Sequence, residues 1–330
     1  MSGAETLNAR PEGRKPRLVA VVDQLTGEEF LSLPGAECFD VRLTGEVDRT
    51  WLECELPAAD AFWASLRVPL DEALLAASPH LRTVSTNTTG TDHLCAGLLA
   101  QRGIELLSLK EDLEFLRQVT ATAELAFGLL LSCARRLPEG FAAARNGDWG
   151  RHAYGGAMLS GKTLGILGCG RLGTMMCGYG QAFRMRVIAC DPHRQELPSG
   201  VERVDLRGLL VASDFLSLHV HLSDATRRML GPDEFAAMKP GITLINTSRG
   251  ALIDESALIR AMENGRVAAA GLDVIDGEWM DNLASHPILA YSRKNPRLLV
   301  TPHVGGACRD ATLLSARHAM AKLAARFGAH

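Results

Sequence analysis

Aromatic side chains are scarce in this chain, at 5% of 330 residues, and no apolar run is long enough to span a bilayer. The first shortage argues against a core built on rings. It suits helices and buried parallel strands packed with Ala, Leu and Val, in a composition that is 47% hydrophobic. The second excludes a helical membrane protein. A surplus of one charge is missing too. The 35 Lys and Arg against 38 Asp and Glu leave a formal charge of −3, which gives no reason to expect nucleic acid or an anionic membrane as partner. The N-terminal stretch MSGAETLNARPEGRKP has no signal-peptide core, so a cytoplasmic location is expected, with residues 1 to about 15 as a disordered leader.

C-x-x-C pairs are absent among the eight cysteines, Cys38, Cys54, Cys95, Cys133, Cys169, Cys177, Cys190 and Cys308. Their spacing matches neither a zinc site nor a compact disulfide framework, so free, mostly buried thiols and no metal are expected. Cys169 stands apart because it falls at a predicted helix N-terminus, where a thiolate is stabilised.

A chain of 330 residues exceeds one ordinary core, and two domains are expected. From Arg17 onward LVAVV, ADAFWA, LRTVST and IELLSL read as strands, with helices such as DEALLAAS and HLCAGLLAQRG between them. A helical segment follows from about Thr120 to Ala144, interrupted near Pro138. Beyond a loop containing Trp149, a second series begins at Lys162, with TLGILG, MRVIACD, FLSLHV, ITLINTS and AAAGLDV as strands. Strands alternating with helices predict an α/β fold with parallel sheets covered on both faces. A final amphipathic helix, about Asp310 to Phe327, is placed to pack back on the first unit. There is no internal repeat or low-complexity segment.

TLGILG runs into Gly168-Cys169-Gly170-Arg171-Leu172-Gly173 and then a helix-like stretch. Glycine is common, so G-x-G-x-x-G alone is weak. Here it follows a buried strand and opens a helix, the context in which a pyrophosphate sits at a helix N-terminus. The next strand ends in Asp191, whose carboxylate suits adenosine ribose hydroxyls and repels a 2′-phosphate, which points to NAD rather than NADP. Arg194 pulls the other way, because an Arg nearby can accommodate that phosphate.

Three later segments put ionisable residues at strand ends: Arg249 in ITLINTSRG, Asp273 and Glu278 in AGLDVIDGE, and His303 in LLVTPHVGG. Reducing a 2-keto acid needs a cation on the carboxylate and ketone, a proton donor, and a carboxylate behind that donor. A planar Arg, a His and a Glu meet those needs. Alone, each reads as a surface Arg, a capping His or a solvated Glu. Their joint placement after successive strands favours chemistry.

With these motifs in view, the chain resembles the D-isomer-specific 2-hydroxyacid dehydrogenase family, which includes phosphoglycerate dehydrogenases and glyoxylate/hydroxypyruvate reductases. The resemblance runs from LRTVSTNTTGTDHL through LSGKTLGILGCGRLG and INTSRGALIDESAL to LDVIDGE and TPHVGG. It implies catalytic roles for Arg249, Glu278 and His303. It also implies that backbone N–H groups of Asn87, Thr88, Thr89 and Gly90 hold the substrate carboxylate. By the same resemblance Arg171 and Leu172 are expected to contact the pyrophosphate and Asp273 to face the nicotinamide amide, and His219, Thr247, Ser248, Arg249, His303, Gly305 and Gly306 are expected to join the cofactor set. The implied fold is two Rossmann-like domains, with a cofactor domain at 120–306 inserted into a flavodoxin-like substrate domain at 1–119 and 307–330. An arm at about 120–155 resembles the one through which family members dimerise, so a homodimer acting on a small 2-keto or 2-hydroxy acid is expected.

Three positions depart from the family. His221 and Trp279 stand where Pro is usual, and Glu111 where Gly is usual. They read either as neutral loop drift or as altered cofactor fit or substrate access. Two other functions stay open: a phosphite-type dehydrogenase on the same fold, and an NAD(H)-binding corepressor that uses the fold to control assembly. Glu278 argues against a formate dehydrogenase, whose relatives lack it.

Overall fold

Five short strands build the first sheet: β1 (Arg17–Val21), β2 (Asp40–Thr44), β3 (Ala61–Trp63), β4 (Thr83–Ser85) and β5 (Glu105–Leu107). All pair in parallel in the order β2-β1-β3-β4-β5, the flavodoxin-like arrangement. The computed structural model describes residues 14–328 apart from Pro69 and Asp281, so the expected leader lies almost wholly outside the described residues. Two compact units divide the chain. One runs to Val119 and resumes at Arg309, and the other is Thr120–Cys308.

In the first unit, β1 alternates between two cores because successive strand side chains point to opposite faces. Leu18 and Ala20 join Phe30, Trp63 and the C-terminal helix on one face, while Val19 and Val21 join Phe62, Leu74 and Val84 on the other. That helix, Arg309–Arg326, buries Ala311, Thr312, Ser315, Ala316, Ala319, Met320, Leu323 and Ala324. Paired positions four apart make a single stripe, mostly of small residues. The fit is close: a Cβ on Gly35 would lie 2.7 Å from Ala324 Cβ.

The second unit carries β6 (Thr163–Leu167), β7 (Arg186–Cys190), β8 (Val201–Arg203), β9 (Phe215–Leu218), β10 (Ile242–Asn246), β11 (Val267–Leu272) and β12 (Leu298–Val300). They form one parallel sheet in the order β12-β11-β10-β9-β6-β7-β8. β6, β9 and β10 are buried at every residue, as strands covered on both faces must be. The order reverses between β6 and β9, which makes their carboxyl ends the switch point where such sheets bind ligands. The helix Ala121–Arg135 packs on β10 and β11, and a Cβ on Gly271 would come within 2.9 Å of its Leu129. It stops at Arg136, which adopts φ 53°, and Leu137–Arg145 begins a new helix. Pro138 sits in that helix's first turn, where its missing N–H has no intrahelical partner to lose.

The expectation of mostly buried thiols needs correcting. Cys133, Cys169 and Cys177 are buried, Cys38 and Cys190 are intermediate, and Cys54, Cys95 and Cys308 are exposed. Cys54 lies in a short surface helix, and Cys95 and Cys308 lie just before helices, where no core reaches them. Among the described residues no helix is long and apolar enough to cross a membrane.

Candidate active site

The dinucleotide motif leaves β6 at the switch point. Gly168 has φ +85°, and a Cβ there would lie 2.6 Å from the His219 carbonyl oxygen. A Cβ on Gly173 would lie 2.1 Å from the Gly168 carbonyl oxygen, so the first and third glycines let the loop fold on β9 and on itself. Gly170 differs: nothing lies within 4 Å of its Cβ position, and it caps the helix Arg171–Ala182. The loop thus presents open space over a twelve-residue helix N-terminus, which suits a pyrophosphate. Arg171 and Leu172 lie partly buried in its first turn.

Asp191, at the end of β7, accepts the Cys169 N–H at 2.8 Å and the His193 N–H at 2.9 Å, one on each carboxylate oxygen. Each oxygen keeps capacity for a further donor. Arg194 donates from Nε to the Glu196 carbonyl at 2.7 Å, and from Nη1 to Thr174 Oγ1 at 2.6 Å and to the Cys169 carbonyl. The Cys169 thiol lies 3.8 Å from Cys177 Sγ. That contact first, then Arg194 and Thr174, draw its pKa down to about 7 against the opposing effect of burial.

Two buried polar atoms on the same sheet edge have no partner among the described residues, His219 Nδ1 and Thr247 Oγ1. Burial pushes His219 down to about 4, so its imidazole is neutral, and its Nε2 pairs with Ser217 Oγ at 2.8 Å. Ser248 ties strand ends together, donating from Oγ to the Leu218 carbonyl at 2.8 Å and from its N–H to Asn246 Oδ1 at 3.0 Å. The open glycine cradle, the Asp191 carboxylate and these orphaned polar atoms fit a dinucleotide.

Arg249, Glu278 and His303 follow β10, β11 and β12, three neighbouring parallel strands, so all three leave the same sheet edge. Arg249 donates from Nη1 to the Ser248 carbonyl at 2.7 Å, and Asn246 Nδ2 holds its own carbonyl at 2.8 Å. His303 Nδ1 meets Glu278 Oε1 at 2.7 Å, with side chains only 17% and 16% exposed. His303 adopts φ 53°, unusual for a side chain of its size. Asp273 is what holds it there. Its carbonyl accepts the His303 N–H at 2.8 Å, and its carboxylate accepts Thr301 Oγ1 at 2.5 Å, Val304 N–H at 2.9 Å and Gly305 N–H at 2.8 Å. Burial raises the Asp273 carboxyl while these donors lower it. A Cβ on Gly305 would crowd Asp273 Oδ2 at 2.9 Å, whereas Gly306 faces nothing within 4 Å.

Of the unusual positions, Trp279 stacks its ring on His303, centroids 5.8 Å apart, and is half exposed. His221 is exposed, its carbonyl accepting Thr226 Oγ1 at 2.7 Å, and Glu111 is an exposed loop residue. Nothing in the structure explains the last two.

In the first unit the Asn87–Gly90 loop leaves β4. Thr88 Oγ1 donates to the Gly90 carbonyl at 2.8 Å, and the Thr88 carbonyl accepts the Leu109 N–H at 3.0 Å. Among the described residues, none of the N–H groups of Asn87, Thr88, Thr89 or Gly90 donates to a protein acceptor. Asn87 and Thr88 line a cleft at the β1/β3 switch point with Asp23, Gln24, Trp63 and Ser65, residues the motifs did not reveal. The signal available for them was position alone: they lie at or just after the ends of β1 and β3.

Known proteins resemble this chain over most of its length. Residues 127–305 match the family described as D-isomer specific 2-hydroxyacid dehydrogenase, NAD binding domain. A glyoxylate reductase of Thermococcus litoralis is 37% identical over 277 residues, covering 81% of this chain and 78% of its own. A hydroxypyruvate reductase of Thermotoga maritima is 33% identical over 256 residues, covering 78% and 81%. A crystal structure of a Thermus thermophilus protein superposes with TM-score 0.80 at 31% identity, covering 92% of this chain and 94% of that one. With an NAD-binding family matched over more than half its length and relatives aligned across most of it, the chain belongs to the D-isomer-specific 2-hydroxyacid dehydrogenases and is an NAD-dependent oxidoreductase.

Proposed function

We propose that the chain interconverts a small 2-keto acid and the D-2-hydroxy acid, with Arg249, Glu278 and His303 as catalytic residues. The observation that carries this reading is the 2.7 Å contact between His303 Nδ1 and Glu278 Oε1, on the sheet edge from which Arg249 also leaves. A carboxylate only accepts, so Nδ1 donates to it and Nε2 is the nitrogen that exchanges a proton with substrate oxygen. In reduction His303 gives that proton to the carbonyl oxygen, and in oxidation it takes the hydroxyl proton. Glu278 fixes the ring and stabilises the imidazolium. Arg249 holds the carboxylate and polarises the carbonyl through its planar fork. Gly168, Gly170, Arg171, Leu172, Gly173 and Asp191 would hold the dinucleotide, which when bound would supply the hydride for C2 as NADH in reduction and accept it as NAD+ in oxidation. His219, Thr247, Ser248, Asp273, Gly305 and Gly306 complete the cofactor's surroundings.

On this reading the second unit is the NAD-binding domain and the first the substrate-binding domain, where Thr88, Thr89 and Gly90 offer N–H groups to the substrate carboxylate. A homodimer is supported by the arm, where Phe141 and Trp149 are 65% and 85% exposed and a second copy would cover them.

The test is reduction of glyoxylate and hydroxypyruvate, followed by NADH absorbance across pH. His303→Ala should lose about 10²–10⁴-fold in kcat while still binding NADH. Reduction needs the protonated ring, so activity falls as pH rises. In Glu278→Gln the imidazolium has lost its carboxylate, so that fall should begin at lower pH. An active His303→Ala, or an unmoved profile in Glu278→Gln, would remove the pair from the mechanism.

A further inference from the structure

Glu278 sits on a loop that leaves β11, and among the described residues no strand or helix fixes it until residues 283–285. Yet Asp276, two residues before it, is held at both of its main-chain polar groups. Its N–H donates to Glu255 Oε1 at 2.8 Å. Its carbonyl is 2.9 Å from His286 Nε2. The tautomer follows from the other ring nitrogen: Nδ1 accepts the Ile288 N–H at 3.3 Å, so Nε2 carries the hydrogen and donates to the Asp276 carbonyl. Glu255 Oε2 lies 3.5 Å from that Nε2, and the two side chains are 16% and 11% exposed. Burial raises the Glu255 carboxyl above its usual range, opposed by the Asp276 N–H and by His286 and Arg228, while the Asp276 carboxylate adds to the rise.

Neither side chain belongs to the sheet edge that bears the chemistry. Glu255 opens the helix Glu255–Glu263, which follows the Arg249 turn, and His286 caps the helix Pro287–Ser292. The Arg249 turn touches the same stretch directly, since a Cβ on Gly250 would lie 2.0 Å from Ile275 C and 2.2 Å from Asp276 N. Gly277, at φ +79°, then turns the chain from the held Asp276 to Glu278. Two side-chain-to-main-chain hydrogen bonds and one close main-chain approach therefore locate the residue from which Glu278 is launched.

We propose that Glu255 and His286 are positioning residues that clamp the Asp276 main chain, so that Glu278 meets His303 and keeps its register with the Arg249 turn. The proposal rests on the reading of His303 and Glu278 as the acid–base pair. Such a pair tolerates little displacement, because an error of about 1 Å can cost up to about 10²-fold in rate.

The experiment compares Glu255→Ala and His286→Leu, which each remove one jaw, with Glu255→Gln and His286→Gln, which each keep the needed acceptor or donor. NADH binding is read by fluorescence, and keto-acid reduction is followed as a pH profile. The clamp predicts that Glu255→Ala and His286→Leu bind NADH within about threefold of the parent but lose up to about 10²-fold in kcat. Their activity should fall at lower pH, as in Glu278→Gln, with Asp273 and Trp279 still facing His303. Each should add little when combined with Glu278→Gln, because both act through one carboxylate. The two Gln variants should recover most of the loss. If Glu255→Ala fails to fold, His286→Leu against His286→Gln reads the same clamp. Parent-like profiles in the jaw variants, beside a shifted Glu278→Gln, overturn the clamp and leave the acid–base pair standing. An unmoved Glu278→Gln overturns the pair itself, and the clamp with it.

Discussion

Asp191 and Arg194 stand three residues apart and pull cofactor preference in opposite directions when only their charges are considered. Their contacts separate them. Arg194 spends Nε on the Glu196 carbonyl and Nη1 on the Cys169 carbonyl and the Thr174 hydroxyl, so it braces the glycine loop. Taking a 2′-phosphate would mean giving up those bonds. Asp191, pinned by two N–H donors, cannot turn away from a negative charge brought to the end of β7. Two like charges about 5 Å apart at an effective dielectric of about 20 repel by about 3 kcal/mol, on the order of a hundredfold in affinity. NADH should therefore exceed NADPH in kcat/KM by about that factor, and Asp191→Ser should narrow the gap. Steady-state kinetics with both cofactors is the check, and equal kcat/KM would show that Arg194 releases the loop to serve the phosphate.

At the scale of elements, the C-terminal helix is the piece whose packing is least obvious and most exposed to test. Its buried stripe is mostly Ala, Ser and Thr, with Met320 and Leu323 as the large fully buried side chains. Met320→Ala should cost about 2–5 kcal/mol, read as a lower denaturant midpoint for the first unit. A change within about 0.5 kcal/mol, the range of an ordinary surface substitution, would mean that the helix is not part of that core. The same scale shows what could be read in advance. Buried strands such as TLGIL and ITLIN announce themselves as apolar runs because both faces are covered. β2, DVRLT, and β8, VER, did not, because both are sheet edges with exposed or half-exposed residues and no apolar run to detect. The helical break was legible through Pro138, but it falls at Arg136, where the left-handed backbone ends one helix before the next begins. Arg249, Glu278 and His303 were legible because motifs mark them at strand ends. The Glu255–His286 clamp was not, because its partners are backbone groups and leave no pattern in side chains.

For the molecule as a whole, a formal charge of −3 offers no general attraction for an anionic substrate, so local groups must do the holding. In the first unit the groups proposed for this are the N–H groups of the Asn87–Gly90 loop, which meet no protein acceptor among the described residues and suit one carboxylate. The cleft beside that loop is lined by Val21, Val22, Asp23, Gln24, Leu25, Trp63, Ser65, Leu66, Asn87 and Thr88. A carboxylate is among them, and no Lys or Arg is among the described lining residues. A phosphate ester adds about 1.5 to 2 negative charges at neutral pH and is ordinarily met by Arg or Lys. Placed near Asp23, it would be repelled rather than paired. Glyoxylate and hydroxypyruvate should thus be reduced with kcat/KM at least about 10²-fold above the phosphate ester of hydroxypyruvate, the scale of one unfavourable charge contact worth about 3 kcal/mol. Most of the difference should lie in KM, because the groups that handle C2 are unchanged. Asp23→Asn should reduce the gap, and Asp23→Lys should reduce it further. Competition assays with both substrates in one cuvette read this directly. A phosphate ester accepted as readily as hydroxypyruvate would place its phosphate away from Asp23, in reach of cations outside this cleft.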